Sequence, residues 1–166
     1  MKVPVRSPKF WMLLVVCFAL GSLAAWVLTS KKAAPMLTEQ TLSEAVKKWD
    51  QSGIKNYGMK ISISGSQNQE YEVRVKEGEV TSLISGGEPA AERLEKYWDV
   101  KGMFRFLEEE LVNAEQPAIV YGVSGDSKVY LDAQFDPELG YPVYFLRQVT
   151  GKDIDIEWRI SQFIRY

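Results

Sequence analysis

An uncharged apolar stretch near the start of the chain constrains it more than any other feature. Residues 10–30 (FWMLLVVCFALGSLAAWVLTS) contain no charged side chain, and basic residues flank them at positions 2, 6, 9, 31 and 32. Twenty-one residues of α-helix would extend about 31 Å, close to the hydrocarbon thickness of a bilayer. We expect a basic cytoplasmic leader at 1–9, a transmembrane signal-anchor at 10–30, a linker at 31–36 and a domain at 37–166.

A cleaved signal peptide is the alternative to an anchor. Ser22, Leu23 and Ala24 resemble a cleavage site, so a secreted form cut near Ala24 is possible. The apolar run continues past this point through Trp26, however, which favours the anchor. Cys17 follows a valine, whereas a lipid-bearing cysteine normally follows a small residue, so we interpret it as a plain membrane position.

The charges on either side of the predicted anchor indicate its orientation. Three basic residues precede it and two follow it closely, and cytoplasmic flanks favour Lys and Arg. A leader this short stays inside most easily. We therefore expect a single-pass protein of the bacterial inner membrane with its C-terminal domain in the periplasm or outside the cell.

The charge of the predicted domain excludes one class of partner. Five of the 20 basic residues and none of the 22 acidic residues lie in residues 1–32, so residues 33–166 carry a formal charge of −7. Phosphate backbones repel an acidic domain, and no basic stripe is present. We expect no nucleic-acid binding; the membrane and an envelope protein are the expected partners.

Missing residue types exclude most catalytic chemistry. The chain has no histidine, and Cys17 is its one cysteine. Ser-His-Asp sites, Cys-His sites and His-ligated metal sites are therefore excluded. The predicted domain can form no disulfide of its own, so its stability must come from a packed core. We expect no enzyme activity, no catalytic residues, no cofactor and no metal.

Hydrophobic periodicity predicts two helices, each followed by a β-meander. The first helix would start with a capping box at Thr41 and Glu44 and end at Gly53, and Asp99 would cap the second. Period-two alternation predicts strands at 57–64, 71–76, 80–84, 118–123, 128–135, 141–149 and 153–166, with a break at 162/163. The expected fold class is α+β, with helices on one face of a curved antiparallel sheet.

The turn Asp136-Pro137-Glu138-Leu139-Gly140-Tyr141-Pro142 carries a family resemblance. With Trp49, Asn56-Tyr57, Val75-x-x-Gly78-x-Val80 and Phe104 in the same order, it resembles an uncharacterised family of small bacterial secreted or lipoprotein-type domains over about residues 45–150. The resemblance implies an extracytoplasmic α+β domain without a known activity. It assigns no functional residues.

The same turn has a physical interpretation of its own. Pro137 presets φ, Asp136 can accept hydrogen bonds from the turn backbone, and Gly140 permits positive φ. A functional version would expose Tyr141 or Tyr144 beside Asp136 as a recognition surface. Two further surfaces are candidates: the sheet edges and the Gly86-to-Lys96 excursion. The acidic run at 108–110 is interpreted as a solvated helix face, the alternative being a contact for a basic partner.

We expect the domain to bind a protein of the envelope. A carrier or sensor of an apolar small molecule is the second hypothesis, because aromatic side chains could line a cavity: Trp49, Trp98, Trp158, Tyr57, Tyr130, Tyr144 and Phe145. A carboxylate-dependent hydrolase is the third. It would require a pair such as Asp132 with Asp136, or a pair within the Asp153, Asp155 and Glu157 set, which is also the possible divalent-cation site.

Overall fold

A computed structural model describes residues 35–65 and 68–166. The predicted leader, the predicted membrane helix and the cleavage site at Ala24 lie outside these residues. Within the part described, no helix is long and apolar enough to cross a membrane.

Seven strands form one antiparallel sheet. They are β1 (Tyr57–Gly65), β2 (Gln69–Lys76), β3 (Glu79–Ser85), β4 (Glu88–Pro89), β5 (Val129–Phe135), β6 (Pro142–Val149) and β7 (Ile156–Arg165), in the order β4-β3-β2-β1-β7-β6-β5. The two predicted meanders are therefore halves of a single sheet, joined where β7 pairs with β1. The helices are α1 (Glu39–Ser52), α2 (Glu95–Trp98), α3 (Val100–Ala114) and α4 (Pro117–Tyr121), with a 3₁₀ turn at Glu92–Leu94. The α+β prediction is confirmed.

One face of the sheet and the apolar sides of α1 and α3 form the core. Trp49 of α1 contacts Tyr57 and Phe163 edge-on, with ring centroids 5.4 and 6.1 Å apart. Phe104 of α3 stacks on Phe135 of β5 at 6.3 Å. Strand residues that alternate with these point to the other face, where polar pairs such as Lys60 with Glu72 lie.

Helix α1 begins three residues earlier than the sequence predicts. Thr38 is the N-cap, and its hydroxyl accepts a hydrogen bond from the Thr41 backbone N–H at 3.1 Å. The Thr41 hydroxyl accepts in return from the Thr38 N–H at 3.1 Å. The predicted box of Thr41 with Glu44 is therefore wrong, because Thr38 offers the same chemistry one turn upstream. The predicted end is confirmed, since Gly53 is the left-handed C-cap at φ 64°.

The strand predicted at 118–123 is instead helix α4. Pro117 occupies the start of that helix, and Gly122 ends it with φ 61°. A short apolar run is compatible with either structure, and proline favours the first helical turn because its missing N–H would be unpaired there anyway.

The irregularity in β7 lies one to two residues before the predicted break. Gln162 pairs with Lys60 and Ile160 with Ile61, so Ser161 is the bulged residue. The bulge turns Phe163 towards the core, where it stacks on Tyr57 with centroids 5.3 Å apart. Ile164 and Tyr166 are consequently exposed.

Candidate functional site

A tight corner between α2 and α3 positions the candidate site. The Asp99 carboxylate caps α3 by accepting from the Gly102 N–H at 2.6 Å, which confirms its predicted role. Gly102 lies against the backbone of Lys96, where a Cβ atom would overlap. The Arg105 guanidinium also donates to the Lys96 carbonyl at 2.8 Å. These contacts hold Trp98, the residue before the corner, against Tyr71 of β2.

An open apolar pocket of about 240 Å³ lies beside this corner. Its walls come from the 3₁₀ turn, α2, α3 and β7: Leu94, Tyr97, Trp98, Met103, Phe106, Ile156 and Trp158. None of these side chains is charged at neutral pH. Trp98 stacks on Tyr71 at 5.2 Å, and Phe106 and Trp158 both contact Phe145, at 5.4 and 5.6 Å. The walls of the pocket are therefore mostly aromatic side chains that pack against the core.

Two hydrogen-bond donors in this wall lack acceptors. Within residues 35–65 and 68–166, the buried indole N–H groups of Trp98 and Trp158 make no hydrogen bond. A buried donor without an acceptor costs about 1–3 kcal/mol, and most such groups in proteins are paired. Because these nitrogens are themselves buried, the surface that the pocket presents is apolar.

The turn that carries the family resemblance joins the β5–β6 hairpin to α1. The Asp136 carboxylate accepts from the backbone N–H groups of Glu138 and Leu139 at 3.0 and 2.7 Å. Lys48 of α1 donates to the Pro137 carbonyl at 3.1 Å. Gly140 has φ 81° and lies against the backbone of α1. Each residue of the turn therefore has a structural role.

The three predicted recognition residues do not lie together. Tyr141 belongs to the helix side of the sheet, where it stacks on Phe163 with centroids 4.1 Å apart. Burial, with the nearby Asp136 carboxylate, raises the pKa of Tyr141. Tyr144 faces the opposite side, and the Arg159 guanidinium lies 4.6 Å above its ring. The structure thus brings Asp136 and Tyr141 together and separates them from Tyr144.

Of the candidate catalytic carboxylates, those of Asp136, Asp155 and Glu157 have local partners. One Asp136 oxygen serves the turn, and Asp155 accepts from the Val149 N–H at 3.0 Å. Glu157 pairs with Arg159 at 3.3 Å. Asp132 pairs with Leu146 across the hairpin. Among the described residues, no group of three or more acidic, histidine or cysteine side chains could hold a metal ion.

The predicted aromatic set divides into three groups. Trp98 and Trp158 line the pocket, whereas Trp49, Tyr57 and Phe145 fill the core. Tyr130 is exposed and Tyr144 lies on the outer face of the sheet. Burial is also the main cause that raises the pKa of Tyr57, whose hydroxyl accepts from the Val100 N–H at 3.0 Å.

A buried ionic cluster was missed by the sequence analysis. Glu110, interpreted as part of a solvated acidic run, is only 4% exposed. Its carboxylate accepts from Arg147 at 2.7 Å and from the Tyr121 hydroxyl at 2.9 Å. Arg147 also donates to the Ile154 carbonyl at 3.0 Å, and it pairs with Ile156 across the sheet. The cluster fixes α4 and the start of β7 beside the pocket.

Comparison with known proteins gives a family without an assigned function. No curated protein and no solved structure is significantly similar to the chain. A family model described as a family of unknown function, DUF6174, matches residues 41–146. This range includes the turn at 136–142 and ends within β6, before the β7 residues that line the pocket. The match covers more than half of the sequence, and the chain therefore belongs to this family of unknown function.

Proposed function

We propose that the chain is a non-catalytic binding protein, anchored in a bacterial inner membrane by residues 10–30. Its domain at 37–166 would bind an apolar side chain of another envelope protein in the pocket beside the α2–α3 corner. One observation carries this proposal: the pocket is open, and its lining is uncharged and apolar.

The size of the pocket favours a side chain over a whole small molecule. Its volume of about 240 Å³ lies below the range of roughly 300–1,000 Å³ found for small-molecule sites. Burial of one large apolar side chain contributes about 1.5–3 kcal/mol. One such buried side chain can dominate the binding energy of a protein interface when neighbouring contacts exclude water.

The absence of catalytic chemistry is part of the same proposal. The sequence has no histidine, and its one cysteine precedes the domain. The candidate carboxylates Asp136, Asp155 and Glu157 are engaged in the turn, in β6 and with Arg159. The domain's formal charge of −7 argues against nucleic acid as the partner.

A carrier or sensor of an apolar small molecule is the second candidate. The same apolar walls would suit an apolar small molecule. Such a ligand would have to fit within the pocket or extend from its open side.

Titration of a side-chain mimic tests the pocket by NMR. All buried core residues come from residues 37–158, so residues 35–166 contain a complete core and suit ¹⁵N spectra. We expect N-acetyl-phenylalanine amide to shift the indole N–H signals of Trp98 and Trp158 saturably. The signal of Trp49, in the core under α1, is the internal control and should not move.

Two variants sharpen this titration. Leu94→Trp adds bulk to the pocket wall and should abolish the shifts, whereas Ile119→Trp, at an exposed site on α4, should leave them intact. The proposal is wrong if no indole signal moves, or if Trp49 moves in parallel with the other two.

A further inference from the structure

A second surface, on a different stripe of α3, combines an apolar floor with an acidic rim. A groove of about 580 Å³ runs between α1 and α3. Each helix contributes residues at helical spacing: Glu39, Leu42, Ser43 and Val46 from α1, and Glu108, Leu111 and Val112 from α3, with Glu115 at the C-cap of α3. The pocket is lined by Met103 and Phe106 of α3 instead, so the two surfaces are separate.

The floor of the groove is more exposed than the packing of α3 requires. Val112 is 64% exposed. Leu111 and Val46 are only half-buried. An apolar strip at the junction of two helices is the surface that an amphipathic helix of a partner covers in helix-in-groove recognition.

The rim gives the charge of that partner. Glu39, Glu108 and Glu115 line the groove, and no basic residue does. None of the ion pairs formed by residues 35–65 and 68–166 involves these three glutamates. Glu115, the C-cap of α3, lies where the helix dipole disfavours negative charge, whereas Glu39 lies in the first turn of α1, where the dipole favours it. The ion pairs of the described residues therefore leave all three carboxylates available to a basic partner.

We infer that the α1–α3 groove docks an amphipathic helix of a partner protein, with its apolar side on Val46, Leu111 and Val112 and flanking Lys or Arg residues opposite the glutamates. Complementary charge would speed association and select against acidic partners. This site extends the chain's binding capacity beyond the pocket.

Photo-crosslinking in the producing cells tests the groove in the full-length chain. Ser43 is exposed within the groove, so p-benzoylphenylalanine placed there should crosslink to a bound partner. The crosslinked peptide, sequenced by mass spectrometry, should contain Lys or Arg beside apolar residues at helical spacing. The same crosslinker at Gln148, exposed between the inward Arg147 and Val149, should give no such adduct.

Matched charge variants test whether the glutamates of the rim are responsible for binding the partner. We expect Glu39→Gln, Glu108→Gln and Glu115→Gln together to reduce the Ser43-position adduct about tenfold, from three pairs of ordinary surface strength. Glu70→Gln, Glu79→Gln and Glu88→Gln together remove the same charge from exposed strand sites and should leave the adduct unchanged. Val112→Ser, at an exposed position, should also weaken it by removing apolar contact.

Several results would overturn the inference. They are the absence of an adduct, an adduct to lipid or to a second copy of the chain, a crosslinked peptide without basic residues, and an equal response of the two triple variants. Thermal unfolding of both triple variants checks that the fold is retained. Because the crosslinker is at Ser43 and not in the pocket, this result is independent of the pocket's ligand.

Discussion

Gly140 lies directly against the carbonyl oxygen of Ala45, so the β5–β6 turn contacts the backbone of α1 with no side chain between them. A Cβ atom on Gly140 would also lie 2.7 Å from the Lys48 Cβ and 3.1 Å from the Trp49 nitrogen. The glycine additionally has φ 81°. This close approach explains why the turn needs a residue without a side chain at this position.

Replacement of Gly140 by alanine should destabilise the domain strongly. Positive φ costs a residue with a side chain about 1–2 kcal/mol, and the forced separation from α1 adds about 1–3 kcal/mol. Gly86→Ala is the matched control, because Gly86 has φ 60° but open space around it. Chemical denaturation should show a clearly larger loss for Gly140→Ala. Equal losses would mean that the contact with α1 is unimportant.

The position of the α1 N-cap predicts that Thr38 contributes more to stability than Glu44. Thr38→Ala removes the capping hydroxyl and should lower the free energy of unfolding by about 1 kcal/mol. Glu44→Ala should have little effect, because the Glu44 side chain is exposed and, among the described residues, accepts a hydrogen bond from Gln40 alone. Denaturant melts of the two variants measure this difference. A larger loss for Glu44→Ala would instead favour the capping box that the sequence suggests.

The buried ionic cluster predicts that the stability of the domain depends strongly on the pairing of Glu110 with Arg147. Arg147→Met leaves the Glu110 carboxylate buried without its cation, which should cost about 3–5 kcal/mol. Adding Glu110→Gln removes the unpaired charge and should recover part of that loss. A double-mutant cycle on unfolding free energies measures the coupling. Additive effects of the two substitutions would contradict a direct interaction between these side chains.

Tyr121 predicts a loss of stability at alkaline pH. Burial, reinforced by the bond to the Glu110 carboxylate, raises the pKa of Tyr121 from 10.0 to about 12. Between these values the unfolded chain has lost the phenol proton while the folded protein keeps it, so stability falls as pH rises. The loss attributable to Tyr121 should be on the order of 2 kcal/mol. Tyr121→Phe should show a shallower decline between pH 10 and 12; an unchanged slope would contradict the assignment.

Features decided by neighbouring residues could be predicted from the sequence. Gly53 ends α1 and Asp99 caps α3 because each acts within one helical turn. The alternation of side chains between the two faces of the sheet in β1, β2 and β6 is also a local property of the strand, so it could be predicted. Where two local rules competed, the prediction failed: Thr38 and Thr41 both suit a cap, and residues 118–121 suit either a strand or a helix.

Features that depend on distant contacts could not be predicted. The pocket exists because β7 places Trp158 beside Trp98 of α2, and neither residue's local pattern indicates this. Glu110 is buried because Arg147 of β6 lies opposite it. The inward turn of Phe163 depends on a single bulged residue, which shifts every later side chain to the other face.

Photo-crosslinking from the pocket of the full-length chain is the most direct test of whether the pocket binds an envelope protein. Tyr97 is on the pocket wall and partly exposed, so p-benzoylphenylalanine at this position should crosslink to whatever occupies the pocket in the producing cells. We expect an adduct to an envelope protein, through a peptide that contains a large apolar residue. Leu94→Trp should abolish this adduct, and Ile119→Trp should preserve it. An adduct of small-molecule mass, or a protein adduct that Leu94→Trp leaves unchanged, would contradict this proposal.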